Sequence, residues 1–258
     1  MTLTLVHSWY LLARHLRALA RQPWYVAITL VQPIIWLLLF GALFARVADL
    51  PGFTAHSYLD WLAPGVAVMC ALFSGGWSGM GVLDDLERGV MDRFLVSPVR
   101  RGALMNGRVG QQMVVSVIQS AVILALGAVA GAHYPGGLGG LAVLAGCAAL
   151  LAAGFASLSN ALALLLRRRE SIIAAVQFVV LPLTFLSTAF MPLELLPRWM
   201  QLAARWNPVA WAVQAGRTAA SGAADWGPVL TWSACLAAFA AACVWLSVRA
   251  FRAYQRAA

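Results

Sequence analysis

Fourteen of the 18 arginines of this 258-residue chain fall in four short stretches that alternate with long apolar runs. All 18 basic residues are arginines and none is lysine. The first stretch holds Arg14, Arg17 and Arg21; the second holds Arg88, Arg93, Arg100, Arg101 and Arg108. The third is Arg167, Arg168 and Arg169, and the last holds Arg249, Arg252 and Arg256. Set against Asp84, Asp85, Glu87, Asp92 and Glu170, these stretches carry the whole formal charge of +9. Elsewhere Arg46, Arg198, Arg205 and Arg217 are balanced by Asp49, Asp60, Glu194 and Asp225. Membrane insertion leaves short Arg-rich loops in the cytoplasm, so alternating loops fix both the number of crossings and the orientation. Read this way, the chain crosses a membrane six times with both termini cytoplasmic.

A composition of 62% hydrophobic and 10% charged residues, with a mean hydropathy of +0.81, excludes a soluble globular domain. The basic balance is a topology signal and not a nucleic-acid footprint, because no aromatic–basic patch or groove-reading motif accompanies it. The lipid bilayer and a cytoplasmic partner are the expected contacts of the basic loops. Cys70, Cys147, Cys235 and Cys243 lie inside apolar runs without CxxC spacing and read as packing residues. The histidines (His7, His15, His56 and His133) are scattered, so no metal site is expected. No nucleophile–base pair or paired carboxylates point to catalysis. Abundant Ala, Gly and Arg suggest a GC-rich bacterial genome, and with it the bacterial cytoplasmic (inner) membrane.

The expected architecture is all-α and polytopic. Residues 1–22 form an amphipathic interfacial helix: at about 100° per residue, Leu5, Trp9, Leu12, Leu16 and Leu19 share one face, opposite His7, Arg14, Arg17 and Arg21. Pro23 stops it. With no continuous apolar core ahead of that proline, the first span itself serves as the targeting signal. Spans are expected over 24–44, 58–83, 104–130, 141–166, 171–191 and 228–248, each long enough to cross a hydrocarbon core of about 30 Å.

Polar residues inside those spans are the informative ones, since they must face protein or water. Gln32-Pro33 implies a kink and a side-on contact in the first span. Gly75 and Gly79 form a small-xxx-small pair suited to close helix packing. Gln112, Ser116 and Gln119 recur at i, i+4 and i+7 and share one face of the third span. Lining a solute path and hydrogen bonding between helices both satisfy that stripe. Thr184, beyond Pro182 in the fifth span, joins the same candidate path. Ser157, Ser159 and Asn160 give the fourth span a polar patch.

Residues 192–227 are too polar and too interrupted by proline to cross, yet include Trp199, Trp206, Trp211 and Trp226. Two short helices, Leu195–Trp206 and Val209–Ala220, are expected there, split at Asn207-Pro208, as an external re-entrant hairpin in the outer leaflet. On the other side, residues 84–98 read as a short charged helix, with acids at its start, an apolar stripe of Leu86, Val90, Phe94 and Leu95, and Pro98 at its end. A solvated loop helix is the plainer alternative.

The run Asp85-Leu86-Glu87-Arg88-Gly89, then Asp92-Arg93-Phe94, Ser97-Pro98 and Arg101, resembles the cytoplasmic coupling-helix region of ABC-2 type exporter permeases. The resemblance is to the branch containing daunorubicin/doxorubicin-resistance and nodulation-factor permeases. A second set, Pro182, Ser187, Met191-Pro192, Leu196-Pro197, Trp199, Asn207-Pro208 and Arg217, resembles the signature of that family across the fifth span and external hairpin. The resemblance covers essentially the whole chain. It implies a permease working as two copies, or with a paralogue, on two separate ATP-binding subunits that hold ATP and Mg. It implies ATPase coupling through Asp85, Glu87, Arg88, Asp92, Arg93, Phe94 and Pro98, and a signature hairpin at Pro192, Pro197, Trp199, Asn207, Pro208 and Arg217. One departure is Gly89-Val90, where family loops often carry Gly-Thr.

The chain's own composition agrees with a two-component machine. A Walker A loop needs a lysine for the β/γ-phosphates, and there is none, so no cofactor is expected on this chain. The expected function is outward movement of a lipophilic or amphipathic compound (drug, antibiotic or glycolipid), with Gln32, Gln112, Ser116, Gln119 and Thr184 as path residues. Lipid-linked polysaccharide export is the alternative; a sugar chain wants aromatic platforms, and only Trp36 and Trp77 lie well within spans. An ion-coupled secondary transporter needs ionisable groups at membrane depth. Asp60 comes nearest, at the external end of the second span.

Overall fold

The structure, a computed structural model, describes residues 2–21, 23–49, 57–90, 101–222 and 225–257. Among them there are helices and turns and no strand. In chain order the helices are α1 (Thr2–Arg21), α2 (Pro23–Leu43), α3 (Tyr58–Gly76), α4 (Ser78–Glu87), α5 (Arg101–Val129), α6 (Gly137–Leu166), α7 (Arg169–Phe185), α8 (Arg198–Arg205), α9 (Pro208–Ala220) and α10 (Trp226–Ala257). Short 3₁₀ turns occupy Ala45–Asp49 and Leu193–Leu195.

The centre is α6, which touches α3, α4, α5, α7, α9 and α10. Its sequence explains that place. Ala148, Ala149, Ala152, Ala153 and Ala156 keep its surface thin enough for close helix approach, and Leu144, Leu151 and Leu164 fill the gaps between neighbours. The Gly75/Gly79 pair packs here. A methyl group on Gly75 would lie 2.8 Å from the Ala152 carbonyl oxygen, and one on Gly79 would lie 2.4 Å from that of Ser159.

The second crossing is broken between α3 and α4 at Trp77. A break inside a bilayer frees backbone groups that lipid cannot satisfy. Ser159 of α6 closes the gap: its Oγ accepts from the Gly79 N–H at 3.0 Å and donates to the Gly76 carbonyl. Ser78 Oγ donates to Asn160 Oδ1 at 3.2 Å beside it. Of the polar patch of the fourth span, Ser159 serves the backbone at the break, while the Ser157 hydroxyl donates to the Ala153 carbonyl of its own helix.

Among the described residues five helical stretches are long and apolar enough to cross a membrane: Val26–Leu43, Tyr58–Glu87, Ala103–Val129, Gly137–Leu166 and Trp226–Arg252. The protein is a polytopic helical membrane protein. The expected span 171–191 differs from α7, which has 17 residues and stops at Phe185. Ser187 turns the chain away there, its Oγ donating to the Thr184 carbonyl and accepting from the Ala189 N–H.

Other expectations shift in the same local way. α8 begins at Arg198, three residues later than expected, because Leu193–Leu195 forms a 3₁₀ turn and Pro197 starts the helix. α9 begins at Pro208 with Asn207 as its cap. Residues 84–87 are not the start of a separate helix but the last turn of α4, and Gly89, at φ 63°, ends it in the left-handed region. The rest of the expected coupling segment, with Asp92, Arg93, Phe94 and Pro98, lies outside the described residues. On α1, Leu11 is buried against α5, while Trp9 is 67% exposed. Gly107 and Gly110 of α5 form a groove for Leu11 and Leu12, and that rotates Trp9 outward.

At the arginine-poor end, Asp60 accepts from the Ser57 N–H at 3.2 Å and from the His133 N–H at 2.7 Å, while its own N–H donates to Ser57 Oγ at 3.1 Å. Both oxygens of Asp60 thus serve as a helix cap and a loop tie. The Gly136 N–H donates to the Ala220 carbonyl at 2.8 Å, tying the start of α6 to the end of α9.

Gly79→Val forces a side chain into the Ser159 backbone, so we expect at least about 1–3 kcal/mol of destabilisation. Thermal unfolding in detergent reads it. Substitution at Gly139, which has nothing within 4 Å of an added methyl, is the neutral control.

Candidate functional site

A cavity of about 370 Å³ lies between α2, α3 and α5. Its wall is Ile28, Thr29, Gln32, Pro33 and Trp36 from α2, Val66, Met69, Cys70, Phe73 and Ser74 from α3, then Trp77, Met80 of α4 and Gln119 of α5. Ile28 and Gln32 are exposed, so the cavity opens on that side. Among the described residues no charged one lines it. Flat aromatic faces, two thioethers and a few amide and hydroxyl groups suit an apolar ligand held by few polar contacts.

The polar stripe of the third span divides between two jobs. Gln119 is fully buried, and its Nε2 donates to Thr29 Oγ1 at 2.9 Å, while the Thr29 hydroxyl donates to the Val26 carbonyl at 2.8 Å. Gln112 Nε2 donates to Ser74 Oγ. Ser116 is fully buried between them. Of the expected path residues, only Gln32 and Gln119 line the cavity. Gln112 joins α5 to α3, and buried Thr184 spends its hydroxyl on the Val180 carbonyl at 2.8 Å. Thr29 and Ser74 are the residues that sequence reasoning missed. Thr29 stands one helical turn before Gln32, and that spacing was the available signal.

An aromatic cluster closes the arginine-poor side of this cavity. The ring of Trp36 lies 5.2 Å from that of Phe40 and 5.8 Å from that of Phe190, and Phe190 lies 5.8 Å from Phe185. Beyond it is a second hollow of about 320 Å³, lined by Phe40, Phe44, Tyr58, Phe185, Phe190 and Met200 among others.

Two residues of the expected signature, Arg217 and Asn207, hold that end together. The Arg217 guanidinium donates to the carbonyls of Trp61 at 2.9 Å, Thr188 at 3.1 Å and Ala189 at 3.4 Å, and it stacks on the Trp61 ring at 3.5 Å. Burial pushes it down to about 9, against the opposing effect of Tyr58, so it is still a cation at neutral pH. Asn207 Nδ2 donates to the Leu183 carbonyl at 2.7 Å while its Oδ1 accepts from the Val209 N–H at 2.9 Å. Pro208 takes the first helical position of α9, and Pro192 and Pro197 precede the 3₁₀ turn and α8. Trp199 is 63% exposed, on the outer face of α8.

At the arginine-rich end the acids of α4 are engaged within the chain. Arg108 of α5 pairs with Asp85. Arg169 of α7 bonds Asp84 at 2.5 Å and Glu87 at 2.6 and 2.9 Å. Arg88 is exposed at the end of α4. Burial, then the charges of Arg108 and Arg14, push His15 of α1 down to about 4. That imidazole is therefore neutral and does not compete with Arg108 for Asp85. Sequence reasoning placed Asp85 and Glu87 toward a partner and left Arg108 and Arg169 unassigned, because ion pairs more than twenty positions apart leave no local pattern.

The ABC-2 type transporter family model matches residues 7–220, and the chain belongs to that family. It is 32% identical over 197 residues (76% of this chain, 68% of the relative) to a putative transport permease, ycf38, of Cyanophora paradoxa. It is 30% identical over 241 residues (91% and 82%) to the daunorubicin resistance ABC transporter permease protein DrrB1 of Streptomyces coeruleorubidus. It is 25% identical over 202 residues (78% and 71%) to a probable doxorubicin resistance ABC transporter permease protein, DrrC, of Mycobacterium tuberculosis. The chain is a transmembrane permease subunit, and in this family ATPase activity lies on separate subunits.

Arg217→Ala removes three carbonyl contacts and the stack on Trp61, so we expect a loss of roughly 2–4 kcal/mol. Arg217→Lys recovers only part, since one ammonium cannot span three acceptors and a ring. Thermal unfolding of the two variants checks the order.

Proposed function

We propose that this chain is the membrane half of an ATP-driven exporter that moves a lipophilic or amphipathic compound out of the cytoplasm or inner leaflet. Two permease copies, or this chain with a paralogue, work with two ATPase subunits that hold ATP and Mg. Six spans place both termini in the cytoplasm of a bacterium, with α7 and the bend after it as the fifth crossing. The observation that carries the substrate reading is the uncharged cavity between α2, α3 and α5. Its polar groups are few, and Thr29, Ser74 and Gln119 are already bonded to protein. Gln32 is the exposed amide that faces a ligand. The two drug-resistance permeases among the relatives support the same class.

Trp36 and Trp77, the tryptophans well within spans, both line the cavity. Aromatic platforms are therefore present, and the scarcity of polar partners is what speaks against a sugar chain. Asp60 serves as a cap and loop tie, and that leaves ion coupling without its best carrier. Asp85, Glu87, Arg88 and the segment through Pro98 make up the proposed seat of the ATPase.

The test is purification in mild detergent after expression with the neighbouring genes. A stoichiometric P-loop subunit with vanadate-sensitive hydrolysis supports the exporter; a well-folded, ATP-inert chain alone would sink it. With that complex, Gln32→Leu is expected to change which lipophilic dyes stimulate hydrolysis while leaving the unfolding temperature in place. Gln119→Leu removes the hydrogen bond to Thr29, whose hydroxyl keeps its bond to the Val26 carbonyl, and lowers stability by about 0.5–1.5 kcal/mol.

A further inference from the structure

The charges of α4 sit on the wrong end of their helix. Asp84, Asp85 and Glu87 occupy its last turn, where the helix macrodipole disfavours carboxylates. Such local conflict is retained where a residue serves something other than the fold. Asp84 and Glu87, three positions apart, share one face, and a single side chain meets both. Arg169 Nη2 lies 2.5 Å from Asp84 Oδ1 and 2.6 Å from Glu87 Oε2, and its Nε lies 2.9 Å from Glu87 Oε1. Arg169 is the first residue of α7.

We propose that Arg169 is a positioning residue that ties the first turn of α7 to the last turn of α4, so that a displacement of the loop after Glu87 is carried along α7 to the aromatic closure of the cavity. In its transport consequence this rests on the exporter reading above.

The packing of α7 makes it suited to act as a rod. Only the ridge Ile172, Val176, Val180 and Thr184 is buried, with Gly76 of α3 beneath Val176 and Val180. Ile173, Phe178, Val179, Leu181 and Phe185 on the other faces are exposed. An element held along one ridge shifts more readily than one packed all round. At its far end Phe185 stacks on Phe190, whose ring meets Trp36 in the cavity wall. One helix, with Pro182 one turn before its end, thus spans from the ion pairs to that wall.

The tie is built to break and re-form. The side chains of Arg169, Asp84 and Glu87 are 42%, 41% and 55% exposed, and ion pairs in water add little to fold stability. The neighbouring Arg108–Asp85 pair, at 12% and 30%, is the more buried of the two and reads as scaffold.

Hydrogen exchange on the permease alone in lipid nanodiscs tests the tie. R169Q is expected to speed amide exchange along α7 and through residues 186–190 by about fivefold, with α5 and α6 unchanged. The exchanged pair E87R/R169E, made together with D84N to remove the like charge it would face, restores the wild-type rate. Unchanged exchange in R169Q, faster exchange everywhere, or no restoration by the exchanged pair would each overturn the proposal. In the complex with its ATPase, reconstituted in vesicles with Nile red as the probe, R169Q is expected to cut dye efflux about fivefold with hydrolysis kept within about twofold. A parallel fall in both means a structural role and overturns the coupling. If no ATPase accompanies the chain, the exporter reading fails, and the nanodisc experiment still decides the tie.

Discussion

The fold depends on the contact between the broken second crossing and α6. A bilayer supplies no hydrogen bonds, and an unsatisfied backbone group there costs several kcal/mol. The interruption at Trp77 is therefore tolerable only because Gly75 and Gly79 let α6 approach to backbone distance, where the Ser159 hydroxyl serves both sides of the break. That interruption places Trp77 and Met80 in the wall of the cavity. Without Ser159 the break is untenable, and without the break the cavity has a different wall.

The two ends of the molecule use charge in different ways. At the arginine-poor end Arg217 is buried, finds carbonyls and a tryptophan ring instead of a carboxylate, and fixes the segment after α7 against α3. At the arginine-rich end the pairs are wetter and run between helix termini. The first arrangement is hard to undo, since desolvation commits it. The second is weak and reversible.

Much of the organisation was legible in residue order. Charge alternation and apolar run length placed the long helices, because membrane thickness and insertion bias act on local sequence. Pro197, Asn207 and Pro208 marked the hairpin, since capping and proline chemistry are also local. The candidate site was legible only in part. The Gln112/Ser116/Gln119 stripe was visible as a stripe, but its partners Ser74 and Thr29 sit on other helices, and Gln112 and Gln119 ended with different roles. The acids at residues 84–87 read as the start of a helix from sequence; Gly89 and the continuity of α4 make them its end.

By itself, then, the sequence determined that this chain lives in a membrane, how its apolar runs are divided, and that it carries no Walker-type lysine for nucleotide. These follow from hydrophobicity, charge placement and composition, which need no knowledge of neighbours. The tertiary structure alone decided that Gln119 is oriented by Thr29, that Ser159 repairs the second crossing, and that Arg169 holds both Asp84 and Glu87. Each joins groups between 80 and 90 positions apart. Such pairings are set by how helices pack around α6, and no periodicity along a single segment encodes them.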